Sequence, residues 1–164
     1  MKHPGTFLGR KMAKTPLAIS TWERVLAPLD FARIIELGTT HGVFSYYLYL
    51  FCKERKAQFW TFDIKQYSGL HPDLYLSFEC VDVFSDWGKQ EVFTKMAGDG
   101  ITILFCDNGD KSREAAMFAV HLKPGDILAV HDWETEIFQK DIPNGLIDIT
   151  PSNGDQMTRF FKKC

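Results

Sequence analysis

A short glycine-containing run, RIIELGTTHG at residues 33–42, constrains this chain more than any other part of its sequence. The apolar residues around Glu36 are typical of a buried strand, and the apolar stretch at 43–51 is compatible with a helix. Gly38 and Gly42 allow a tight turn and the close approach of a ligand. Because the first N–H groups of a helix have no partner within it, a strand that opens a helix in this way commonly binds a nucleotide-like ligand.

Length and charge exclude several classes of protein. With 164 residues, 45% hydrophobic residues and 14 phenylalanines, the chain has enough apolar side chains for one substantial core. Its net charge of −2 gives no footprint for nucleic acid, and it contains no apolar run long enough to span a membrane. We expect residues 1–14 to form a flexible arm and residues 15–164 to form a single domain.

The cysteines and the first residues bear on localisation. The four cysteines form no C-x-x-C pair, so we expect reduced thiols, with Cys80 and Cys106 buried in strands. Residues 1–14 lack the apolar segment of a secretory signal. Together these features predict a cytoplasmic protein.

Hydrophobic periodicity predicts alternating strands and helices. The pattern STWE at 20–23 resembles a capping box and predicts a helix over 20–29. Further helices are predicted at 86–96 and 112–122, and further strands at 59–64, 76–83, 101–107, 127–130, 146–150 and 158–162. This alternation favours an α/β fold, a Rossmann-like doubly wound, mostly parallel sheet with helices on both faces and a short C-terminal region.

Acidic residues recur where the predicted strands end. They are Glu36, Asp63, Asp82, Asp107 and Asp132. Each alone could be a helix cap or a solvated turn. Because ligands of such sheets bind beyond the carboxyl ends of the strands, the five together predict a binding site. An acid after the second strand can accept both hydroxyls of a ribose, and one after the third can accept from an adenine amino group.

Three residues near the fourth and fifth strands are candidates for chemistry. Asp107 and Asp132 supply the oxygen ligands that Mg²⁺ prefers. His131 could be a general base, since its ordinary pKa lies near neutrality, or a hydrogen-bonded histidine at a strand end. Lys111 could orient or deprotonate a substrate hydroxyl, or could be an ordinary surface lysine at a helix start.

These motifs together resemble those of the class I S-adenosylmethionine-dependent methyltransferases. The resemblance is to the O-methyltransferase and cephalosporin-hydroxylase-like group, and it covers roughly residues 15–135. The segments that match are IIELGTTHG at 34–42, FDI at 62–64, VDVF at 81–84, LFCDNGDK at 104–111, LKPGD at 122–126 and HDW at 131–133.

The resemblance implies S-adenosylmethionine as the cofactor. It implies contacts to that cofactor by Glu36, Gly38, Thr39, Thr40, His41, Gly42, Asp63, Ile64, Asp82, Val83 and Asp107. In this family the glycine loop lies against the methionine part. Asp63 would then bind the ribose, and Asp82 with Val83 would lie near the adenine. Asp107 and Asp132 would hold Mg²⁺ in a metal-dependent member.

The sequence also departs from the family pattern. Lys111 comes one residue later than the family's lysine, Asp126 replaces a glycine of the turn, and His131-Asp132 replaces an Asp-Asn pair. The expected activity is methyl transfer from S-adenosylmethionine to a hydroxyl of a small molecule, with His131 and Lys111 as catalytic candidates. The main alternative is a non-catalytic cofactor-binding domain or a partner subunit of a larger methyltransferase.

Two other classes of protein fit the sequence less well. A dinucleotide-dependent oxidoreductase would need G-x-G-x-x-G, but position 40 is threonine. A methyltransferase acting on nucleic acid or protein lacks support from any basic stripe. The expected partner is therefore a small-molecule acceptor, and no nucleic acid or membrane is expected. The candidate segments for binding the acceptor are 2–19, 65–75 and 133–145. A homodimer is a further expectation, because an incomplete C-terminal hairpin would leave a sheet edge exposed.

Overall fold

The structure is a computed structural model, and it describes residues 5–164. The helices are α1 (Leu17–Leu26), α2 (Val43–Glu54), α3 (Asp86–Met96) and α4 (Lys111–Phe118). The strands are β1 (Thr6–Phe7), β2 (Arg10–Lys11), β3 (Phe31–Leu37), β4 (Gln58–Asp63), β5 (Phe78–Cys80), β6 (Ile101–Cys106), β7 (Ile127–Val130), β8 (Leu146–Asp148) and β9 (Arg159–Lys163). Within the described part of the chain, no helix has the length and apolar character needed to cross a membrane.

Seven strands form the main sheet, in the order β5-β4-β3-β6-β7-β9-β8. The strands from β5 to β7 are parallel, whereas β9 runs antiparallel between β7 and β8. This arrangement confirms the predicted Rossmann-like fold. It corrects the expectation of an incomplete C-terminal hairpin, because β8 and β9 pair fully within a short segment. The expected homodimer therefore loses that structural argument and stays a prediction.

The core lies on both faces of the sheet, as a doubly wound fold requires. On the face covered by α1 and α2, the ring of Trp22 packs edge-on against Phe44, Phe105 and Phe160, with centroid distances of 5.6, 4.7 and 5.0 Å. On the other face, Phe118 of α4 and Val92 of α3 are completely buried. Large apolar side chains on alternate positions of the strands thus fix the helices in place.

Helix α1 differs from the prediction at both ends. It begins at Leu17, after Pro16 at the N-cap, and ends at Leu26. The residues that resemble a capping box lie inside the helix instead. Thr21 is completely buried, and its hydroxyl donates to the carbonyl of Leu17 at 2.9 Å and accepts from the N–H of Asp155 at 2.7 Å. A tertiary contact therefore overrides the local capping pattern.

Three elements are clearly shorter than predicted, and one of them is β8, which ends at Asp148 instead of residue 150. Strand β5 has only three residues, because it is the edge strand and Leu76 before it is 92% exposed. Cys80 at the end of β5 is consequently exposed, contrary to the expectation, while Cys106 in the central strand β6 is buried. Helix α4 ends at Phe118 and continues as one 3₁₀ turn at Ala119–His121.

Residues 5–14 pack against the domain, which differs from the predicted arm over residues 1–14. Strands β1 and β2 form a two-stranded antiparallel hairpin. Phe7 contacts Tyr47 of α2 edge-on at 5.7 Å, and Met12 is 1% exposed. These apolar contacts hold the segment, although its sequence has no periodicity that would reveal them. Residues 1–4 of the predicted arm lie outside the described residues.

Candidate functional site

The predicted glycine turn joins β3 to α2 at the carboxyl edge of the sheet. Gly38 has φ +104°, and a Cβ there would lie 2.6 Å from the backbone of Asp107. Gly42 is the N-cap of α2 with φ +69°, and a Cβ there would lie 2.4 Å from the side chain of Leu70. Both glycines are therefore required by backbone conformation and by close packing, so neither can be replaced without local rearrangement.

Asp63 at the end of β4 holds this turn. Its carboxylate accepts from the N–H of Thr40 at 2.8 Å and from the N–H of Lys65 at 3.2 Å. Thr40 has φ +50°, a costly conformation for a β-branched residue. The hydrogen bond to Asp63 offsets that strain. The acid predicted to bind a ribose thus also shapes the loop beside it.

Glu36 lies beneath the turn and is 1% exposed. The hydroxyl of Thr61 donates to Glu36 Oε2 at 2.6 Å, and it lies 2.6 Å from the hydroxyl of Thr39. Burial raises the pKa of Glu36 to about 8, against the opposing effect of hydrogen bonds from Ser45 and Thr61. At neutral pH this carboxyl group therefore holds a proton in the folded protein.

A cavity of about 50 Å³ opens over the turn. It is lined by Lys11, Ala13, Lys14, Glu36, Gly38, Thr39, Thr40, His41, Gly42, Val43, Phe44 and Asp107. Sites for whole small ligands usually measure about 300–1,000 Å³. Residues 11–14 narrow the space, since the Lys14 ammonium forms an ion pair with Asp107 and lies 5.9 and 5.7 Å from the ring centres of Phe44 and Phe105.

Asp107, His131 and Asp132 form a cluster of potential metal ligands beside this cavity. One ligand atom from each lies within 4.8 Å of the others. His131 and Asp132 directly follow β7, and His131 Nε2 is 3.5 Å from Asp132 Oδ1. Asp132 has φ +55°, and strain of this kind clusters at functional sites. The topology thus brings together the residues that the sequence placed at two strand ends.

Two lysines already bind the acids of this cluster. Lys14 bonds to Asp107 Oδ2, and Lys111 Nζ lies 3.0 Å from Asp132 Oδ2. Lys111 Nζ also donates to Glu136 Oε2 at 2.6 Å and to the carbonyl of Asn108 at 2.8 Å. An ammonium has three protons, so these contacts use its full donor capacity.

The pKa of Lys111 supports a charge-holding role over deprotonation. Burial lowers that pKa, but hydrogen bonds to Glu136 and Asp132 outweigh burial and raise it above its ordinary value. Lys111 is 4% exposed and stays protonated, so the interpretation as a surface lysine is corrected. Of the two catalytic roles expected for it, orienting a group fits these contacts and acting as a base does not.

The two carboxyl groups of the cluster differ in pKa. Burial raises the pKa of Asp107 despite the opposing effect of Lys14 and Lys111. Burial also tends to raise the pKa of Asp132, but the electrostatic influence of His131 and the hydrogen bond and charge of Lys111 lower it below its ordinary value. Asp132 is therefore the more reliable anion of the pair at neutral pH.

Of the other predicted cofactor residues at this edge, His41 lines the cavity, whereas Ile64, Asp82 and Val83 do not. His41 is exposed and its ring meets Tyr67 edge-on at 5.2 Å. Ile64 is 65% exposed, and Asp82 is exposed with one oxygen accepting from the N–H of Phe84. Val83 is completely buried in the core. The prediction of an adenine site therefore depends on Asp82 and on the exposed surface around it.

Several residues of the site were missed by the sequence reasoning. Lys14 meets Asp107 across 93 positions. Glu136 lies in the segment expected to meet the acceptor, but its contact with Lys111, across 25 positions, was not predicted. Thr158 and Asp155 also belong to the site, since the Thr158 hydroxyl lies 3.1 Å from His131 Nδ1. No local pattern marks any of them.

The fold is that of S-adenosylmethionine-dependent methyltransferases. An S-adenosyl-L-methionine methyl transferase from Silicibacter pomeroyi DSS-3 aligns at a TM-score of 0.54 and 14% identity, over 87% of this chain and 89% of that one. The cmcI-N160 SAH structure aligns at 0.68 and 16%, over 96% and 81%. The cmcI-D160 Mg-SAM structure aligns at 0.54 and 20%, over 79% and 58%. No protein-family model and no curated protein sequence matches the chain.

Proposed function

We propose that this protein transfers a methyl group from S-adenosylmethionine to a hydroxyl of a small molecule. One observation carries the proposal. In a methyltransferase fold, the glycine turn, the Asp63 carboxylate and the Asp107–His131–Asp132 cluster meet at one edge of the sheet. The neighbours described as SAH and Mg-SAM structures support the same cofactor.

The residues divide into those that bind and those that move a proton. The turn at Gly38 and Asp63 would hold the cofactor. When bound, the cofactor supplies a methyl group from its sulfonium, and the sulfur is left as a thioether. His131 accepts the proton that the acceptor hydroxyl loses. Lys111 keeps Asp132 ionised, and the Asp132 carboxylate then stabilises the protonated imidazole beside it. Positioning of acceptor and cofactor supplies most of the rate increase in such a transfer.

A metal ion has a candidate set of ligands but competes with lysine for them. Asp107, His131 and Asp132 offer the types of atom that divalent cations bind. However, Asp107 Oδ2 is bonded to Lys14 and Asp132 Oδ2 to Lys111. The ligand types fit Mg²⁺, while the arrangement of charges fits two ammonium groups. We therefore derive no step of the transfer through a metal.

The acceptor is proposed to bind next to Asp132. A shallow depression of about 470 Å³ is lined by Trp133, Glu134, Phe138, Gln139 and Lys140. Phe138 is 42% exposed, so its ring is available to a bound molecule. An aromatic wall with a few polar groups is typical of small-molecule sites, which favours a small acceptor.

Isothermal titration with S-adenosylmethionine and S-adenosylhomocysteine tests the cofactor directly. We expect micromolar binding of both ligands. The titration is repeated with Mn²⁺, a spectroscopically visible substitute for Mg²⁺, to separate a metal-assisted enzyme from a metal-independent one. If neither ligand binds at millimolar concentration, the proposal is refuted. The glycine turn would then be only a connection between β3 and α2.

Replacing Asp63 with asparagine should weaken cofactor binding at least tenfold. Hydrogen bonds to a charged group are worth about 1.5–3 kcal/mol each, and the asparagine keeps an oxygen that can still accept from Thr40. The matched control is Asp99→Asn, an exposed acid in the turn before β6 at the opposite edge of the sheet. Equal affinities of the two variants for S-adenosylhomocysteine would rule out the ribose role of Asp63.

A second candidate function is a domain that binds the cofactor without catalysing transfer. The position of Lys14 favours this alternative. Its ammonium lines a cavity of only about 50 Å³ and forms an ion pair with Asp107. In that case S-adenosylhomocysteine binds, but the protein adds no methyl group to any hydroxyl compound in a panel of catechols and sugars. Methyl transfer to one member of the panel, lost in His131→Gln, would exclude this alternative.

A further inference from the structure

A buried chain of hydrogen bonds leads from the loop between β8 and β9 to the proposed base. Asp155 Oδ2 accepts from the hydroxyl of Thr158 at 3.1 Å, and that hydroxyl oxygen lies 3.1 Å from His131 Nδ1. Asp155, Thr158 and His131 are 2%, 0% and 5% exposed. These contacts are therefore shielded from bulk solvent, and the protein groups that make them set the direction of each hydrogen bond.

The carboxylate determines that direction. Asp155 Oδ1 accepts from the hydroxyl of Thr15 at 2.9 Å and from the N–H of Met157 at 3.3 Å. A carboxylate only accepts, so the single hydroxyl proton of Thr158 points to Asp155. The oxygen of Thr158 can then only accept from His131, and Nδ1 must therefore carry a proton.

We infer that Asp155 and Thr158 are positioning residues that fix His131 in its Nδ1–H tautomer. His131 Nε2 is then the basic nitrogen, and it lies 3.5 Å from Asp132 Oδ1 at the acid cluster. The consequence for proton transfer rests on the proposed function, whereas the tautomer itself does not.

The same contacts also tie the ends of the domain together, so the test must separate the two roles. Asp155 contacts Thr15 through its side chain and Thr21 through its backbone N–H, and changing it would disturb the packing of α1. Thr158→Val is the sharper variant, because it removes only the hydroxyl and keeps the shape. Thr158→Ser restores the hydroxyl, and it should restore the tautomer.

Thr150→Val is the matched control. The hydroxyl of Thr150 accepts from the N–H of Phe160 at 2.9 Å, so it supports the same C-terminal strands. Its hydrogen bonds are to the backbone of Phe160, on strand β9. A loss of stability shared by Thr150→Val and Thr158→Val would report the structural role, and a change confined to Thr158→Val would report the positioning role.

Long-range ¹H–¹⁵N correlation spectra of the ¹⁵N-labelled full chain measure the tautomer of each of the five histidines. The signals of His131 are assigned by their loss in His131→Gln. At a pH where the ring is neutral, we expect a protonated Nδ1 and an unprotonated Nε2 in the wild type, Thr158→Ser and Thr150→Val. In Thr158→Val we expect a shift of at least half the population to the Nε2–H form.

Two results would overturn the inference. One is an Nε2–H tautomer in the wild type, which decides the matter even if no variant folds. The other is an unchanged tautomer in folded Thr158→Val. Neither result depends on methyl transfer, so a failure to bind S-adenosylhomocysteine would refute the proposed function and leave the tautomer assignment standing.

Discussion

Replacing Lys14 with methionine is expected to lower the free energy of unfolding by about 3–5 kcal/mol at pH 8, the usual cost of removing one partner from a buried ion pair. The side chains of Lys14 and Asp107 are only 6% and 11% exposed. Burial already raises the pKa of Asp107 while Lys14 opposes that effect. Without Lys14, an unpaired anion remains buried next to the glycine turn.

The loss should shrink as the pH falls. Without its cation, the pKa of Asp107 in the folded state rises further above the unfolded value, so the folded protein gains a proton that relieves the buried charge. A group with a raised folded pKa contributes stability below its unfolded pKa, and that contribution disappears as the pH rises through the folded pKa. Urea unfolding of wild type and Lys14→Met at pH 5 and pH 8 measures this difference.

The control and the double variant complete the experiment. Lys11→Met changes an exposed lysine that lines the same cavity, and should cost less than about 0.5 kcal/mol. Lys14→Met with Asp107→Asn should recover most of the loss, because the uncompensated charge is gone. If Lys14→Met alone costs under about 1 kcal/mol at pH 8, residues 5–14 detach readily and the ion pair does not stabilise the fold.

The second large effect is expected at Glu114, where glutamine should stabilise the protein at alkaline pH. Glu114 on α4 is completely buried, and among residues 5–164 neither of its carboxylate oxygens accepts a well-formed hydrogen bond. Burial raises the pKa of Glu114 to about 8, against the weaker opposing effects of the Asn108 backbone and Lys111. Above that pH the wild type must hold a buried carboxylate.

The sign of the pH dependence follows from the raised pKa. The stability contributed by Glu114 is present below about pH 4.5 and is lost as the pH rises to about 8. By pH 9 the loss is on the order of 3–5 kcal/mol, since each pKa unit corresponds to about 1.4 kcal/mol. Glu114→Gln should therefore unfold at higher urea concentration than the wild type at pH 9.

At pH 5 the two proteins should agree within about 1 kcal/mol, because the protonated carboxyl and the amide are both neutral. Glu54→Gln is the control, since Glu54 is an exposed residue at the end of α2. Equal stability of wild type and Glu114→Gln at pH 9 would mean that Glu114 is solvated or paired when ionised. Glu36 adds a pH dependence of the same sign, which Glu114→Gln leaves intact.

Local sequence patterns predicted the helices and strands correctly where the local conformational preference of a segment agrees with its burial in the fold. Strand β7 and helix α3 have the predicted bounds, because the sequence of each has an uninterrupted pattern with turn residues at its ends. The prediction of α1 was wrong because Thr21 is drawn into the core by Asp155, 134 positions away. The third strand was predicted too long because an apolar run does not show that β5 lies at the edge of the sheet.

The sequence predicted the site residues that lie at the ends of strands. It did not predict the site residues that come from distant segments of the chain. Asp107 and Asp132 meet because β6 and β7 are parallel neighbours, which the alternating pattern implies. Lys14 reaches Asp107 from a segment without periodicity, and Thr158 reaches His131 from the loop just before β9. Such contacts depend on tertiary packing, which a single sequence does not encode locally.

The position of β9 has a consequence for how the protein is made. It follows all other strands along the chain, yet it lies between β7 and β8 in the sheet. During synthesis on the ribosome, the outer edge of β7 stays unpaired until residues 159–163 have left the exit tunnel. Thr158 and Asp155 emerge in the same stretch. A nascent chain therefore acquires its completed sheet and the partners of His131 together, and until then the edge of β7 is open to pairing with other chains.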